Sequence, residues 1–312
     1  MKQDQAALRE EIKRLKKEKN ALIMAHYYQR DEIQEIADFI GDSLALARKA
    51  AETDADIIVM CGVHFMGETA KILCPDKKVI VPDINAGCSL ADSCDPSEFE
   101  EFVKAHPDHT VISYVNTSAP VKALTDIVVT SGNARKIVES LPEDEKIIFG
   151  PDKNLGGYIN AVSGREMLLW PGACHVHDRF SLEKIRKMKE EHPGAKILVH
   201  PECRRPLQLI ADKVGSTAAL LEFARHDDAQ EYIVVTESGI LFEMRRACPE
   251  KSFLAAPAED SECQCNECDF MKLNTLEKVA RALRDEKPEI KVDPEIAARA
   301  VNPIERMLEL SK

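Results

Sequence analysis

The residues of this 312-residue chain with the greatest chemical potential are its ten cysteines, at positions 61, 74, 88, 94, 174, 203, 248, 263, 265 and 268. Cys61 lies in the apolar run ADIIVMCGV and Cys74 at the end of the helical stretch GETAKILC, where a free thiol serves as a small buried hydrophobe. Others stand among Gly, Pro, Asp and Ser in predicted loops: Cys88 in INAGCSL, Cys174 in PGACHVH, and three in CQCNEC at 263–268. Such loops are settings for metal or redox chemistry. Thiols from three distant loops match a structural zinc site poorly, because that site takes four ligands in short CxxC pairs. They suit a [4Fe-4S] cluster with one iron left open, since soft sulfur ligands favour the assembly and the missing fourth ligand leaves a Lewis-acid position. A zinc site or redox disulfide built on CQCNEC is the alternative, and the CxxxCxxC of radical S-adenosylmethionine enzymes is absent.

Three loops can meet only if the elements behind them bring them together. Nine short runs rich in Ile and Val, at 21–28, 56–62, 78–83, 110–116, 126–132, 146–152, 196–202, 231–239 and 252–257, alternate with amphipathic stretches. That alternation predicts an α/β protein with parallel strands buried on both faces. The runs group as three times three. The first of each group ends in a polar cluster: His26-Tyr27-Tyr28-Gln29, Tyr114-Val115-Asn116-Thr117 and His200-Pro201-Glu202-Cys203. The second enters a Gly-containing loop, at Gly62, Ser131-Gly132 and Ser238-Gly239, and the third precedes a cysteine loop. This predicts three similar α/β/α units, at 1–95, 96–178 and 179–269, related by a pseudo-threefold axis, with strand ends and cysteine loops facing one cavity. Residues 270–312 are expected to form two helices that pack on the first unit. Ala6, Leu8, Ile12 and Leu15 mark an amphipathic surface helix near the start.

Composition narrows the function classes. With 42 Lys and Arg against 54 Asp and Glu, the formal charge is −12, so the field repels polyanions and nucleic acid is an unsuitable partner. No run approaches the roughly 20 apolar residues of a membrane span. The start, MKQDQAALREEIKRLKKEKN, is charged and carries no signal-peptide core, so a soluble cytoplasmic protein is predicted.

In order along the chain, the segments MAHYYQ, GDSL, YVNTSAPVKA, TSGNA, GPDKNLG, PGACHVH, HPEC, GST and CDFMKLNTLEKV resemble the motif series of the quinolinate synthase family, spanning residues 24–279. The resemblance implies a three-unit pseudo-threefold fold and the condensation of iminoaspartate with dihydroxyacetone phosphate to quinolinate, phosphate and water, in NAD biosynthesis. It further implies a [4Fe-4S] cluster on Cys88, Cys174 and Cys268, the last because it directly precedes DFMKLNTLEKV. Here the sequence has CxCxxC where some relatives show CxxCxxC, so a redox pairing does not simply carry over, although Cys265 and Cys268 still form a CxxC. An oxidase or dehydrogenase acting on aspartate would supply the imine.

Such substrates are anionic, so an acidic protein must gather neutral and cationic donors around them. Ser43, Ser131, Ser216, Thr217, Asn116, His26 and His200 stand at predicted strand ends or helix starts, where backbone N–H groups also favour anions. By the resemblance, His26 and Ser43 bind one carboxylate while Ser131, His200, Ser216 and Thr217 surround the other substrate groups; taken singly, Ser216 would also make a helix N-cap. Glu202 is the natural general acid/base, with a pKa tuned toward neutrality beside His200, or else a partner of Arg204 or Arg205. Tyr28 and Tyr114 are phenols at matching strand ends that position substrate or move protons. His175 and His177 flank the second cysteine and could hydrogen-bond cluster sulfurs; His64, His106, His109, His192 and His226 read as surface residues. Two other classes compete: a zinc or iron hydro-lyase acting on a different small acid, and a redox sensor switched through CxCxxC.

Overall fold

The computed structural model describes residues 2–259 and 266–312. It contains three separate four-stranded sheets. The first holds β1 (Ala21–His26), β2 (Phe39–Gly41), β3 (Ile57–Cys61) and β4 (Lys78–Ile80), in the order β2-β1-β3-β4. The second holds β5 (Thr110–Tyr114), β6 (Ile127–Val129), β7 (Ile147–Gly150) and β8 (Leu168–Leu169), in the order β6-β5-β7-β8. The third holds β9 (Lys196–Val199), β10 (Lys213–Val214), β11 (Glu231–Val235) and β12 (Ser252–Ala255), in the order β10-β9-β11-β12. Every ladder is parallel, and the three orders are equivalent. The α/β class with three similar units is as the sequence predicts.

All nine predicted strands are present, but the repeat is four strands deep rather than three. The unpredicted strands are β2, β8 and β10, each two or three residues long and too short to leave a hydrophobic run. Since the missed strand is the second in the outer units and the fourth in the middle one, the predicted alignment slips by one strand in the middle unit. Thr130-Ser131 matches Asp42-Ser43 and Ser216-Thr217, and Pro151-Asp152 matches Gly62-Val63 and Thr236-Glu237.

Strands run on the apolar side chains that define them. Ile23, Ile58, Val59, Ile112, Val128, Ile148, Leu198 and Ile233 are fully buried, at ~1.5–3 kcal/mol each relative to exposure. Cys61 and Cys74 are buried among them, as expected. The helix Lys2–Glu18 buries Ile12 and Leu15 and packs on the helix Leu276–Asp285, which also touches β3. The last helix, Pro294–Leu310, expected on the first unit, lies against two units. It lies on the helix His64–Leu73 of the first unit and on β6 and the helix Ala119–Lys122 of the second. Its Ala300, Ile304 and Met307 share one core with Ile112 and Ile127, so its apolar face closes the seam between two units.

Candidate active site

Residues that follow the carboxyl ends of strands in all three sheets line one cavity. Ligand sites in parallel α/β units form at this end, because the connections there are free to diverge while the strands hold them in register. Cys88, Cys174 and Cys268 all line it, one from each unit, and all are free thiols. Cys88 and Cys174 directly precede the short helices Ser89–Asp92 and His175–Asp178.

Two of the three loops are anchored alike. At the end of β7, buried Asp152 accepts the N–H of Cys174 at 3.2 Å and caps the following helix through the N–H of Leu155 at 2.7 Å. At the end of β11, buried Glu237 accepts the N–H groups of Cys268 at 3.1 Å and Gly239 at 2.7 Å, and pairs with Lys272 at 3.0 Å. The first unit has Val63 at this point, and there the carbonyl of the preceding Gly62 accepts from Asn274 instead.

Burial pushes the thiol of Cys88 up to about 12, with Cys268 beside it adding to the effect. Burial likewise raises Cys174, with Glu202 and Cys88 next in effect, and takes Cys268 to about 11. Three thiolates in so confined a space are tenable only around strong positive charge, which is what a metal centre supplies. The donor set therefore fits a metal cluster. A second grouping also suits a metal ion: donor atoms of Cys174, His177 and Glu202 lie within 4.8 Å of one another.

Opposite the thiols stands a network of acids and bases. Glu202, 2% exposed, accepts from the Tyr114 hydroxyl at 2.5 Å and lies 2.9 Å from His177 Nδ1. His177 Nε2 reaches Thr236 Oγ1 at 2.9 Å, and its ring stacks on His200 at 4.5 Å between centroids. Tyr28 hydrogen-bonds Thr217 at 2.7 Å and Thr236 at 2.8 Å, so it ties the first unit to the third. The neutral pKa anticipated for Glu202 is not what forms. Burial alone would raise it, but His177, His200 and the hydrogen bonds from His177 and Tyr114 hold it below the ordinary carboxylate range. His200 is itself neutral, so the donors that count are His177 and Tyr114. Neither arginine pairs with Glu202: Arg204 goes to Glu259 and the Phe180 carbonyl, Arg205 to Gln208.

His26 and His200 repeat one motif. Each uses Nδ1 to accept the N–H two residues on, from Tyr28 at 3.2 Å and from Glu202 at 3.3 Å. That bond assigns the proton to Nε2, leaving it as a donor. Burial drives both imidazoles down to about 3, so they are neutral donors at physiological pH. Burial also raises the phenols of Tyr28 and Tyr114 well above 10, with Glu202 adding to the effect, so both keep their protons.

The structure brings His26, Tyr28, Ser43, Tyr114, Asn116, Ser131, His200, Glu202 and Thr217 together on the cavity. Asn116 Oδ1 is buried there without a hydrogen-bond partner. Ser216 is set back as a helix N-cap, its hydroxyl accepting from Ala219 at 3.3 Å. His175 lies on the cavity with its Nδ1 2.5 Å from Ser89 of the first unit, and His177 is placed to act on both Cys174, at 3.3 Å, and Glu202. Cys263 and Cys265 fall outside the described residues. The sequence reading missed Asp152, Thr236 and Glu237. Asp152 lies inside GPDKNLG and could have been suspected as the acid of that segment; Thr236 and Glu237 lie in a strand-end TESG with no distinguishing signal.

Three small parallel sheets that turn thiols, imidazoles, phenols and carboxylates toward a shared cavity define an α/β enzyme with a cysteine-lined centre. A family model described as quinolinate synthetase A protein matches residues 10–309. Among curated relatives, quinolinate synthase of Chloroherpeton thalassium is 54% identical over 308 residues, covering 99% of this chain and 96% of the relative. That of Thermosynechococcus vestitus is 54% identical over 300 residues, with 96% and 94% covered, and that of Cyanophora paradoxa 53% over 301, with 96% and 91%. The chain belongs to the quinolinate synthetase A family.

Proposed function

We propose that this chain is a quinolinate synthase, joining iminoaspartate to dihydroxyacetone phosphate with release of phosphate and water, in NAD biosynthesis. The observation that carries the reading is the placement of Cys88, Cys174 and Cys268, one per unit, as free thiols on the cavity that also holds Glu202, Tyr114 and His200. These cysteines would hold a [4Fe-4S] cluster. Once bound, the cluster supplies a Lewis acid at the iron that no cysteine holds.

The protein's own groups do the rest. His26 and Ser43 bind one carboxylate through neutral donors, whereas Ser131, His200 and Thr217 take the other anionic groups. Ser216 serves them through the helix start that it caps. Asn116 Oδ1, unpartnered within the protein, accepts a hydrogen bond from substrate. Glu202, ionised, takes protons from carbon and nitrogen as the bonds form and gives them back through the Tyr114 hydroxyl that hydrogen-bonds to it, which thereby ends each step protonated. Tyr28 keeps its proton and orients the substrate from the first unit. The enclosure limits water around an imine that hydrolyses readily. An oxidase or dehydrogenase acting on aspartate is the partner that supplies this imine. Units at 1–95, 96–178 and 179–269, with 270–312 as a brace, complete the reading, as does a cytoplasmic location. Among the described residues no helix is long and apolar enough to cross a membrane.

Iron and acid-labile sulfide per chain, measured on anaerobically purified protein with its visible spectrum before and after adding quinolinate, test the proposal. About four of each and a spectrum perturbed by quinolinate are expected. Stoichiometric zinc would overturn it in favour of a hydro-lyase centred on Cys174, His177 and Glu202. Metal-free protein that changes shape with redox state would favour the sensor.

A further inference from the structure

The three units share a buried clamp, and one copy carries a charge that the other two do without. In each unit a side chain six residues beyond a cavity residue turns back to bind the two carbonyls on either side of it. Gln34 Nε2 donates to the carbonyls of Tyr27 at 3.1 Å and Gln29 at 2.9 Å, bracketing Tyr28. Gln208 Nε2 donates to those of Pro201 at 2.9 Å and Cys203 at 2.7 Å, bracketing Glu202. Lys122 Nζ donates to those of Val115 at 2.8 Å and Thr117, bracketing Asn116. All three are the fourth residue of a short helix, Asp31–Ile36, Arg205–Leu209 and Ala119–Lys122. The third contact crosses to a neighbouring unit in every case: Gln34 to the Gly239 carbonyl, Gln208 to that of Asn154, and Lys122 to the face of the Phe65 ring at 5.4 Å.

A neutral amide therefore suffices for the clamp, yet the middle unit buries an ammonium completely. Among the described residues Lys122 makes no ion pair, and burying a charge without one is strongly unfavourable. The groups whose charge bears on it are the Glu68 carboxylate, which also accepts the N–H of Ala119 at 3.0 Å, and Cys88 once that thiol is deprotonated on a metal; the Phe65 ring on which Lys122 rests lines the same cavity as Cys88. Burial lowers its pKa to about 8, which still leaves it mostly protonated at neutral pH.

We propose that Lys122 is a positioning residue with an electrostatic role: it holds the Asn116 turn as its glutamine counterparts hold Tyr28 and Glu202, and its charge offsets the negative charge of a thiolate-bound cluster on the Cys88 side of the cavity. This rests on the cluster assignment above. Lys122→Gln separates the two roles, because glutamine already makes the same clamp twice in this protein. In the cluster-loaded protein, iron and sulfide content should match the wild type, while the equilibrium constant for one-electron reduction of the cluster falls at least threefold, about 28 mV toward more negative potential. Lys122→Met, which lacks the clamp as well, should unfold at a lower temperature than Lys122→Gln. A loaded Lys122→Gln protein with an unchanged potential would overturn the inference alone. So would a Lys122→Gln protein that loses iron and unfolds as early as Lys122→Met, since the residue would then be only a clamp. A wild type without iron and sulfide defeats the cluster assignment and this inference together.

Discussion

The ends of β1 and β9 are built alike and do different work. Both present a histidine whose Nδ1 accepts the N–H two residues later, and both are braced by a glutamine six residues beyond that. At the end of β1 the braced residue is Tyr28, a phenol tied to Thr217 and Thr236. At the end of β9 it is Glu202, a carboxylate held ionised by His177 and Tyr114. The same backbone geometry thus delivers a proton holder on one side and a proton acceptor on the other. A repeated fold fixes where a group points, and the identity of one side chain fixes what it does there.

The largest effects should come from what the units share. Replacing Cys88, Cys174 or Cys268 by Ser is expected to remove iron, sulfide and turnover together, whichever unit is altered; activity surviving Cys88→Ser would sink the cluster assignment. The next separates the two strand ends. Glu202→Gln should lower kcat about 10²–10⁴-fold with the cluster retained, whereas Tyr28→Phe should act mainly on KM. Equal losses of kcat would show that the two positions are not chemically distinct.

Acid should expose what the paired histidines have in common. Both are pushed from 6.5 to about 3 in the folded protein, so below pH 6.5 the unfolded chain binds protons that the native state refuses. Stability is complete above pH 6.5 and falls as pH drops toward 3, each histidine removing about 2 kcal/mol by pH 5. Denaturant unfolding of the metal-free protein at pH 7 and pH 5 measures this, and His26→Gln should halve the difference. An equal slope in wild type and variant would mean that His26 is not the titrating group. The smallest effect joins the two ends. Thr236→Val removes the hydroxyl shared by Tyr28 and His177 and should cost about 1 kcal/mol in stability. Additivity with Tyr28→Phe would show that the hydroxyl does not couple them.

Much of this was legible beforehand because it rests on local pattern. Ile- and Val-rich runs must be buried on both faces, so nine strands could be read and the threefold grouping followed. Short strands left no such trace: Phe39–Gly41, Leu168–Leu169 and Lys213–Val214 form because a neighbour offers free backbone groups, which is a property of the assembled sheet. Their absence shifted the predicted alignment in the middle unit by one strand. Similarly, two helices were expected over 270–312, but only packing decided that the last one would bridge two units.

At the site, residue types and their order along the chain pointed to the three cysteines, the strand-end histidines and tyrosines, and Glu202. The sequence by itself determined that thiols, imidazoles, phenols and a carboxylate would stand at the ends of buried strands, since those are the points where apolar patterning stops. Only the tertiary structure decided that His177 and Tyr114 would hold Glu202 ionised, that Asp152 and Glu237 would anchor two cysteine loops, and that Lys122 would be buried over the Phe65 ring. Those outcomes depend on distances of a few ångströms between different units, where burial and nearby charge set ionisation, and no local spacing encodes them.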